Sequence, residues 1–230
     1  MVEEQEVIIR INNKNVQREV VTNGKFRGSR AHWDRIWKNV LPMGHGGELL
    51  DTGCGEHLWE ASDWNVSRCD SWQEYHNRND GEDESIPSDV DPCDLGERWP
   101  YDDNQFDCVV AVEVIEHLEN IYHFFREAMR VAKSCVIVST PNTESRFSKL
   151  LYYEYGYLWG FIPSEIKGSH HLNPVFEWQM RLVEKTSGWK LDRIAYANQP
   201  FRLPPRFRSI KRYAAKQPTR KGRIFRFRKL

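Results

Sequence analysis

Residues 48–56 read Glu-Leu-Leu-Asp-Thr-Gly-Cys-Gly-Glu. A short apolar run of strand character ends in an acid, Asp51, and a Gly-x-Gly turn, Gly53-Cys54-Gly55, follows at once. Such a turn needs glycine because the backbone must bend sharply and lie open to a ligand where a side chain would collide. In an open α/β sheet the crevice beyond the strand ends is where ligands bind. Further β-rich runs fall at Val66 to Cys69, Cys108 to Val112 and Cys135 to Ser139, and a helical pattern spans Ile121 to Ala132. Strands alternating with helices predict a mostly parallel α/β sheet. Asp70 stands nineteen residues after Asp51, about where an acid hydrogen-bonds a ribose diol in such folds. The glycine pair alone leaves an incidental tight turn open.

On either side of this body the pattern is less regular. Residues 5 to 22 read as a hairpin, Glu6 to Ile11 against Val16 to Val21, and a helix is expected from Ala31 to Val40, stopping at Pro42. The stretch Glu74 to Asp91 holds seven acids with Gly81 and Pro87 as breakers, and reads as a solvated loop. From Leu150 to Ile162 the chain packs Tyr152, Tyr153, Tyr155, Tyr157, Trp159 and Phe161 together. Helix-core packing and a cover over a substrate explain that cluster equally well. Pro174 to Thr186 predicts a helix, Lys190 to Asn198 a strand, and Arg223 to Arg228 a final strand.

Composition limits the function classes. A chain of 230 residues can bury one solid core. The acidic start Met-Val-Glu-Glu-Gln-Glu and the absence of any long apolar run lead us to expect a cytoplasmic protein without a membrane span. The five cysteines, Cys54, Cys69, Cys93, Cys108 and Cys135, show no CxxC spacing and read as reduced thiols. Lys plus Arg and Asp plus Glu both total 33, yet 12 of the cations and none of the acids lie in residues 199–230. An acidic body thus carries a basic C-terminal segment. Its interleaved arginines and aromatics suit an RNA backbone, an anionic lipid surface that would make the protein peripheral at a membrane, or a solvated hairpin docked on the acidic loop.

The ordered motifs from Asp51 through Asp70, Cys93-Asp94-Leu95 and Phe106-Asp107 to Glu113-Val-Ile-Glu-His117 resemble the class I S-adenosylmethionine-dependent methyltransferases over residues 30 to 198. The resemblance implies a Rossmann-like, mostly parallel seven-stranded sheet with helices on both faces. It divides the chain into an extension (1–29), the methyltransferase domain (30–198) and the basic segment with the last strand (199–230). It implies S-adenosylmethionine as cofactor, held by Asp51, Gly53, Cys54 and Gly55 of the glycine loop, Asp70 at the ribose, Asp94 and Leu95 at the adenine, and Glu113 at the end of the fourth strand. Ser139-Thr-Pro-Asn142 matches the end of the fifth strand. Two departures stand out: the family's third glycine is replaced around His57, and no clear helix pattern fills Glu74 to Asp91.

Methyl transfer asks mainly that the acceptor be held in line, since the cofactor's methyl is already activated. An oxygen acceptor also needs help to lose its proton, from a base or a metal. Glu116, His117 and His171, from the pair His170-His171, are the catalytic candidates. Glu113, Glu116 and His117 are spaced to converge on one side of a turn, so with His171 they form the set that would hold a metal such as Mg²⁺ if one is used. This pattern is similar to that of metal-assisted O-methyltransferases and small-RNA 2′-O-methyltransferases, and also to a common turn in metal-free members. Pro92-Cys93 lies before the fourth strand, which argues against a cysteine nucleophile acting on cytosine. No Asp/Asn-Pro-Pro-Tyr motif ends that strand, which argues against transfer to base amino groups. Asp102-Asp103-Asn104 reads as a polar turn. The expected function is O-methylation of a small-molecule or glycan hydroxyl, with RNA 2′-O-methylation or a non-catalytic cofactor-binding adaptor as alternatives.

Overall fold

The computed structural model describes residues 17–20, 46–55, 64–71, 88–163, 166–167, 170–200 and 220–230. Among the described residues eight strands form one sheet: β1 (Gln17–Val20), β2 (Glu48–Thr52), β3 (Asn65–Asp70), β4 (Asp91–Pro92), β5 (Phe106–Val112), β6 (Ala132–Pro141), β7 (Trp189–Pro200) and β8 (Arg220–Lys229). Their order across the sheet is β1-β7-β8-β6-β5-β2-β3-β4. Only β8 runs antiparallel, between β6 and β7. The mostly parallel α/β sheet is as expected, but it has eight strands rather than seven.

The additional strand is the second arm of the hairpin expected in the N-terminal region. Gln17–Val20 pairs in parallel with Arg193 to Tyr196 of β7, so this arm extends the sheet edge. The other arm of the expected hairpin, and the helix expected from Ala31 to Val40, lie outside the described residues, as does most of Glu74 to Asp91.

The alternation of side chains along each strand builds two apolar layers. Leu50, Val109, Ala111, Val136, Val138, Phe225 and Phe227 pack on one face. Leu49, Cys108, Val110, Ile137, Ala195 and Ile224 pack on the other. Near-continuous apolar runs are what strands buried on both sides require. Against the first face lie α1 (Ile121–Val131) and α3 (Glu177–Ser187).

Helix α1 starts where the Asn120 side chain accepts from the His123 N–H at 3.0 Å, satisfying one of the donors that the first turn leaves unpaired. It buries Ile121, Phe124, Phe125 and Ala128 at helical spacing and passes directly into β6. Helix α2 (Arg146–Tyr155) is capped by Ser145 and stops at Gly156, whose φ of 76° suits a left-handed C-cap. Between β4 and β5, Asp102-Asp103-Asn104 is a polar turn, as expected: Asp103 pairs with Arg130 at 2.8 Å, and the same guanidinium donates to the carbonyls of Trp99 and Tyr101.

Helix-core packing of the aromatic stretch is overturned. Tyr152, Tyr153, Tyr155 and Tyr157 are exposed, and Phe161 is the member that is buried. No helix among the described residues is long and apolar enough to cross a membrane.

Candidate active site

The glycine loop leaves β2 at the carboxyl edge of the sheet. Gly53 and Gly55 have φ of 61° and 56°, in the region that side chains disfavour. A Cβ on Gly53 would stand 2.7 and 2.9 Å from the two methyl groups of Val114. The loop therefore lies flush against the turn that follows β5, and the Glu113-to-His117 segment packs directly on it.

Asp51 is fully buried at the end of β2, and Cys54 beneath the loop is equally buried. The Cys54 N–H donates to the Cys69 carbonyl at 3.2 Å, which ties the loop to β3. Asp70 ends β3 with its carboxylate turned toward the loop, accepting from the Gly55 N–H at 2.5 Å and the Ser71 N–H at 2.7 Å. Two of the roughly four lone-pair sites of a carboxylate are thus occupied, and acceptor capacity remains. Asp94 follows β4 in a turn, its Oδ1 accepting from the Gly96 N–H at 2.8 Å, and Leu95 beside it is buried.

Glu113 directly follows β5, with a φ of 53°. Its N–H donates to the Ser139 carbonyl at 3.2 Å, and its carboxylate accepts from the Ser139 hydroxyl at 3.0 Å, so the tips of β5 and β6 are joined. Burial pushes its carboxyl up to about 7, against the Ser139 hydroxyl that lowers it.

One turn further, Ile115–His117 forms a short 3-10 helix. Glu116 is fully buried, and neither of its carboxylate oxygens has a hydrogen-bond partner among the described residues. Burial, reinforced by the Glu113 charge, raises its carboxyl well above the usual range. The backbone carbonyl of Glu116 accepts from the N–H groups of Leu172 and Asn173 at 2.8 and 2.9 Å, and the Asn173 amide donates to the Leu118 carbonyl. These bonds draw the distant segment around His171 onto the turn.

As a result, Glu116, His117 and His171 each bring one ligand-capable atom to within 4.8 Å of the other two. The imidazoles of His117 and His171 meet edge to face at a centroid distance of 4.6 Å. His171 Nδ1 bonds the Gly160 carbonyl. A carbonyl only accepts, so Nδ1 carries the proton and Nε2 of the neutral ring is left as an acceptor.

The structure thus gathers the expected loop residues Asp51, Gly53, Cys54, Gly55 and Asp70, and separately Glu116, His117 and His171. Glu113 is not one of that trio and bonds Ser139, and His170 is exposed and likewise outside it. His57 lies outside the described residues. Cys93 is buried ahead of β5. Sequence reasoning missed Gly160 and Asn173, and gave Thr140 no role beyond its place at the end of the family's fifth strand. Gly160 orients His171, Asn173 anchors its segment, and Thr140 is a fully buried hydroxyl without a hydrogen-bond partner among the described residues. None of the three has a spacing signal, because their roles depend on contacts made across the sheet edge.

Comparison with known proteins places this geometry. Residues 50–138 match the family of methyltransferase domains. Similar solved structures include a candidate methyltransferase from Bacillus halodurans C-125, with TM-score 0.57 and 16% identity over 85% of this chain and 98% of that one. Another is a SAM-dependent methyltransferase from Archaeoglobus fulgidus, with TM-score 0.55 and 16% identity over 89% of this chain and 96% of that one. A third is a candidate methyltransferase from an antibiotic biosynthesis pathway of Anabaena variabilis ATCC 29413, with TM-score 0.56 and 12% identity over 87% and 97%. No curated protein matches the sequence significantly. At these identities the likeness to solved structures is one of fold. The matched segment is that of a methyltransferase domain, and the fold is one this chain shares with these solved methyltransferases.

S-adenosylmethionine, the cofactor this family implies, fits the residues present. The loop is a cradle that a Cβ at Gly53 would fill, and the acids Asp51, Asp70 and Glu113 at the same edge suit a cationic sulfonium. A divalent ion also has a fitting donor set in Glu116, His117 and His171. The fourth expected ligand, Glu113, is not part of that group.

Proposed function

We propose that this chain is an S-adenosylmethionine-dependent methyltransferase that methylates a hydroxyl oxygen of a small-molecule or glycan acceptor. The observation that supports an oxygen acceptor is the convergence of Glu116, His117 and His171 beside the glycine loop. S-adenosylmethionine, when bound, supplies a methyl group on a sulfonium. Asp51, Gly53, Cys54, Gly55, Asp70, Asp94, Leu95 and Glu113 are the residues we assign to hold it. What remains for the protein is to align the acceptor and take its proton.

A neutral imidazole is suited to that proton near neutral pH. His171 offers Nε2 because Nδ1 is committed to Gly160, and His117 packs edge-on against it. Glu116 is fully buried within 4.8 Å of both, and burial favours its neutral form. A developing imidazolium draws it toward ionisation, so the new charge is compensated as it forms.

The test combines binding with turnover. Titration with S-adenosylmethionine and S-adenosylhomocysteine should show binding that weakens in Asp70→Ala. Against a panel of hydroxylated acceptors, His171→Ala and His117→Ala should each lose about 100- to 10,000-fold in kcat with cofactor affinity unchanged. Undiminished turnover in both variants would overturn the assignment of the base. A wild-type protein that binds no cofactor would instead be an adaptor, and transfer confined to RNA with a steep salt dependence would select 2′-O-methylation. EDTA followed by Mg²⁺ or Mn²⁺ should leave turnover unchanged, whereas loss and recovery would assign the trio to an ion.

A further inference from the structure

Ser139 is the last residue of β6 to pair with β5, opposite Val112, and it is fully buried. Its hydroxyl makes two bonds to a single neighbour. It accepts from the Glu113 N–H at 3.1 Å and donates to Glu113 Oε1 at 3.0 Å. A hydroxyl has one proton to give, so that proton is committed to the Glu113 carboxyl. Glu113 meanwhile holds a φ of 53°, a conformation that persists for an ordinary side chain only where the surroundings over-determine it.

This clamp stands beside the glycine loop. The last pair between β2 and β5 is Thr52 with Ala111, so the loop and Glu113 leave the same edge of the sheet side by side. Val114, the next residue, occupies the space that a Cβ on Gly53 would need. Glu113 is only partly buried, and its Oε2 makes no hydrogen bond among the described residues. One oxygen is therefore tied down and the other is left for a ligand. A hydrogen bond donated to a carboxylate favours its charged form, so the serine opposes the burial that favours the neutral one.

We propose that Ser139 is a positioning residue for S-adenosylmethionine: its hydroxyl anchors one oxygen of Glu113, keeps the charge there, and leaves the other oxygen for the sulfonium. The inference rests on the methyl-transfer reading and adds to it a preference for the charged cofactor over its neutral product. Coulombic attraction acts on a sulfonium and not on the thioether that remains after transfer, so the same contact that favours binding also favours release.

The experiment is isothermal titration of the full chain with S-adenosylmethionine and with S-adenosylhomocysteine, in the absence of acceptor. Ser139→Ala removes the hydroxyl but keeps the bond from the Glu113 N–H to the backbone carbonyl of residue 139. It should bind S-adenosylmethionine about tenfold more weakly, with a much smaller change for S-adenosylhomocysteine. Ser139→Thr, which keeps a hydroxyl, should restore the preference. Glu113→Gln should show the same selective loss, and Ser139→Ala added to it should cost little more, because the serine acts through the glutamate. Should Ser139→Ala lose its circular dichroism signature, Ser139→Cys carries the same expectation, its thiol being a weak donor. Equal weakening toward both ligands, an unchanged ratio between them, or full additivity with Glu113→Gln would overturn the proposal while leaving the cofactor assignment in place. A wild-type protein that binds neither ligand would overturn the methyl-transfer reading and this inference with it.

Discussion

At the scale of single residues, Gly53 has two reasons to be glycine. Its φ of 61° disfavours any side chain, and the space where a Cβ would sit is taken by Val114. Gly53→Ala should therefore cost about 1 to 3 kcal/mol of stability and also weaken cofactor binding, because relief requires moving either the loop or the Glu113-to-His117 turn. Chemical denaturation and titration with S-adenosylhomocysteine check the two effects. The replacement of Val114 by Ala in the same background should restore part of the stability, since it removes the methyl groups that collide. Glu113 shows the same economy of space from the other side, with a positive φ tolerated because Ser139 fixes both its N–H and its carboxylate.

At the scale of elements, the joint between the sheet and α3 rests on one buried cation. Arg223 of β8 is 1% exposed, pairs with Glu144, donates to the Val175 carbonyl at 3.1 Å and lies 4.7 Å from the centre of the Phe225 ring. Glu144 in turn accepts from the N–H of Glu177, the first residue of α3, at 2.8 Å. The Arg223 charge holds the Glu144 carboxyl below its usual range despite partial burial. Arg223→Met should destabilise by about 2 to 3 kcal/mol, less than for a fully buried pair because Glu144 retains contact with solvent. Its melting temperature should fall accordingly, and the double variant with Glu144→Gln should recover part of the loss. The arginine was visible in the sequence only as one cation of a basic segment. Its burial follows from the antiparallel insertion of β8 between β6 and β7, which no local pattern specifies.

At the scale of the whole molecule, the raised carboxyls of Glu113 and Glu116 make stability depend on pH. A carboxyl whose pKa is raised on folding is protonated more readily in the folded state than in the unfolded chain. Its contribution is present in full below the ordinary value of about 4.5 and is lost as pH rises through the folded value, about 7 for Glu113 and likewise raised by burial for Glu116. In EDTA-containing buffer the melting temperature should thus decline from pH 5 toward pH 8, to the extent of about 2 to 4 °C for each kcal/mol. Glu116→Gln should flatten that decline, matching the wild type near pH 5 and exceeding it at pH 8. A melting curve series across this range decides the point, and equal slopes in wild type and variant would show that Glu116 does not titrate with folding.

Much of the molecule was legible from local pattern. The apolar runs of β2, β5 and β6 and the helical spacing of α1 announce themselves because each is buried, and burial imposes a period on the side chains. The glycine loop and the acid nineteen residues on were legible because backbone geometry and hydrogen-bonding chemistry restrict those positions to a few residue types. What tertiary structure alone decided is where residues far apart in the chain meet. It made Gln17–Val20 an edge strand on β7, because parallel pairing is set by a partner 176 residues away rather than by a local turn. It turned the tyrosines of α2 outward, since an aromatic run has the same composition on a core face as on a binding surface. It also brought His171 to Glu116 and His117 through Asn173 and Gly160, while leaving Glu113 with Ser139. Spacing along the chain could nominate these side chains. Only the folding of the His171 segment onto the turn after β5 could select among them.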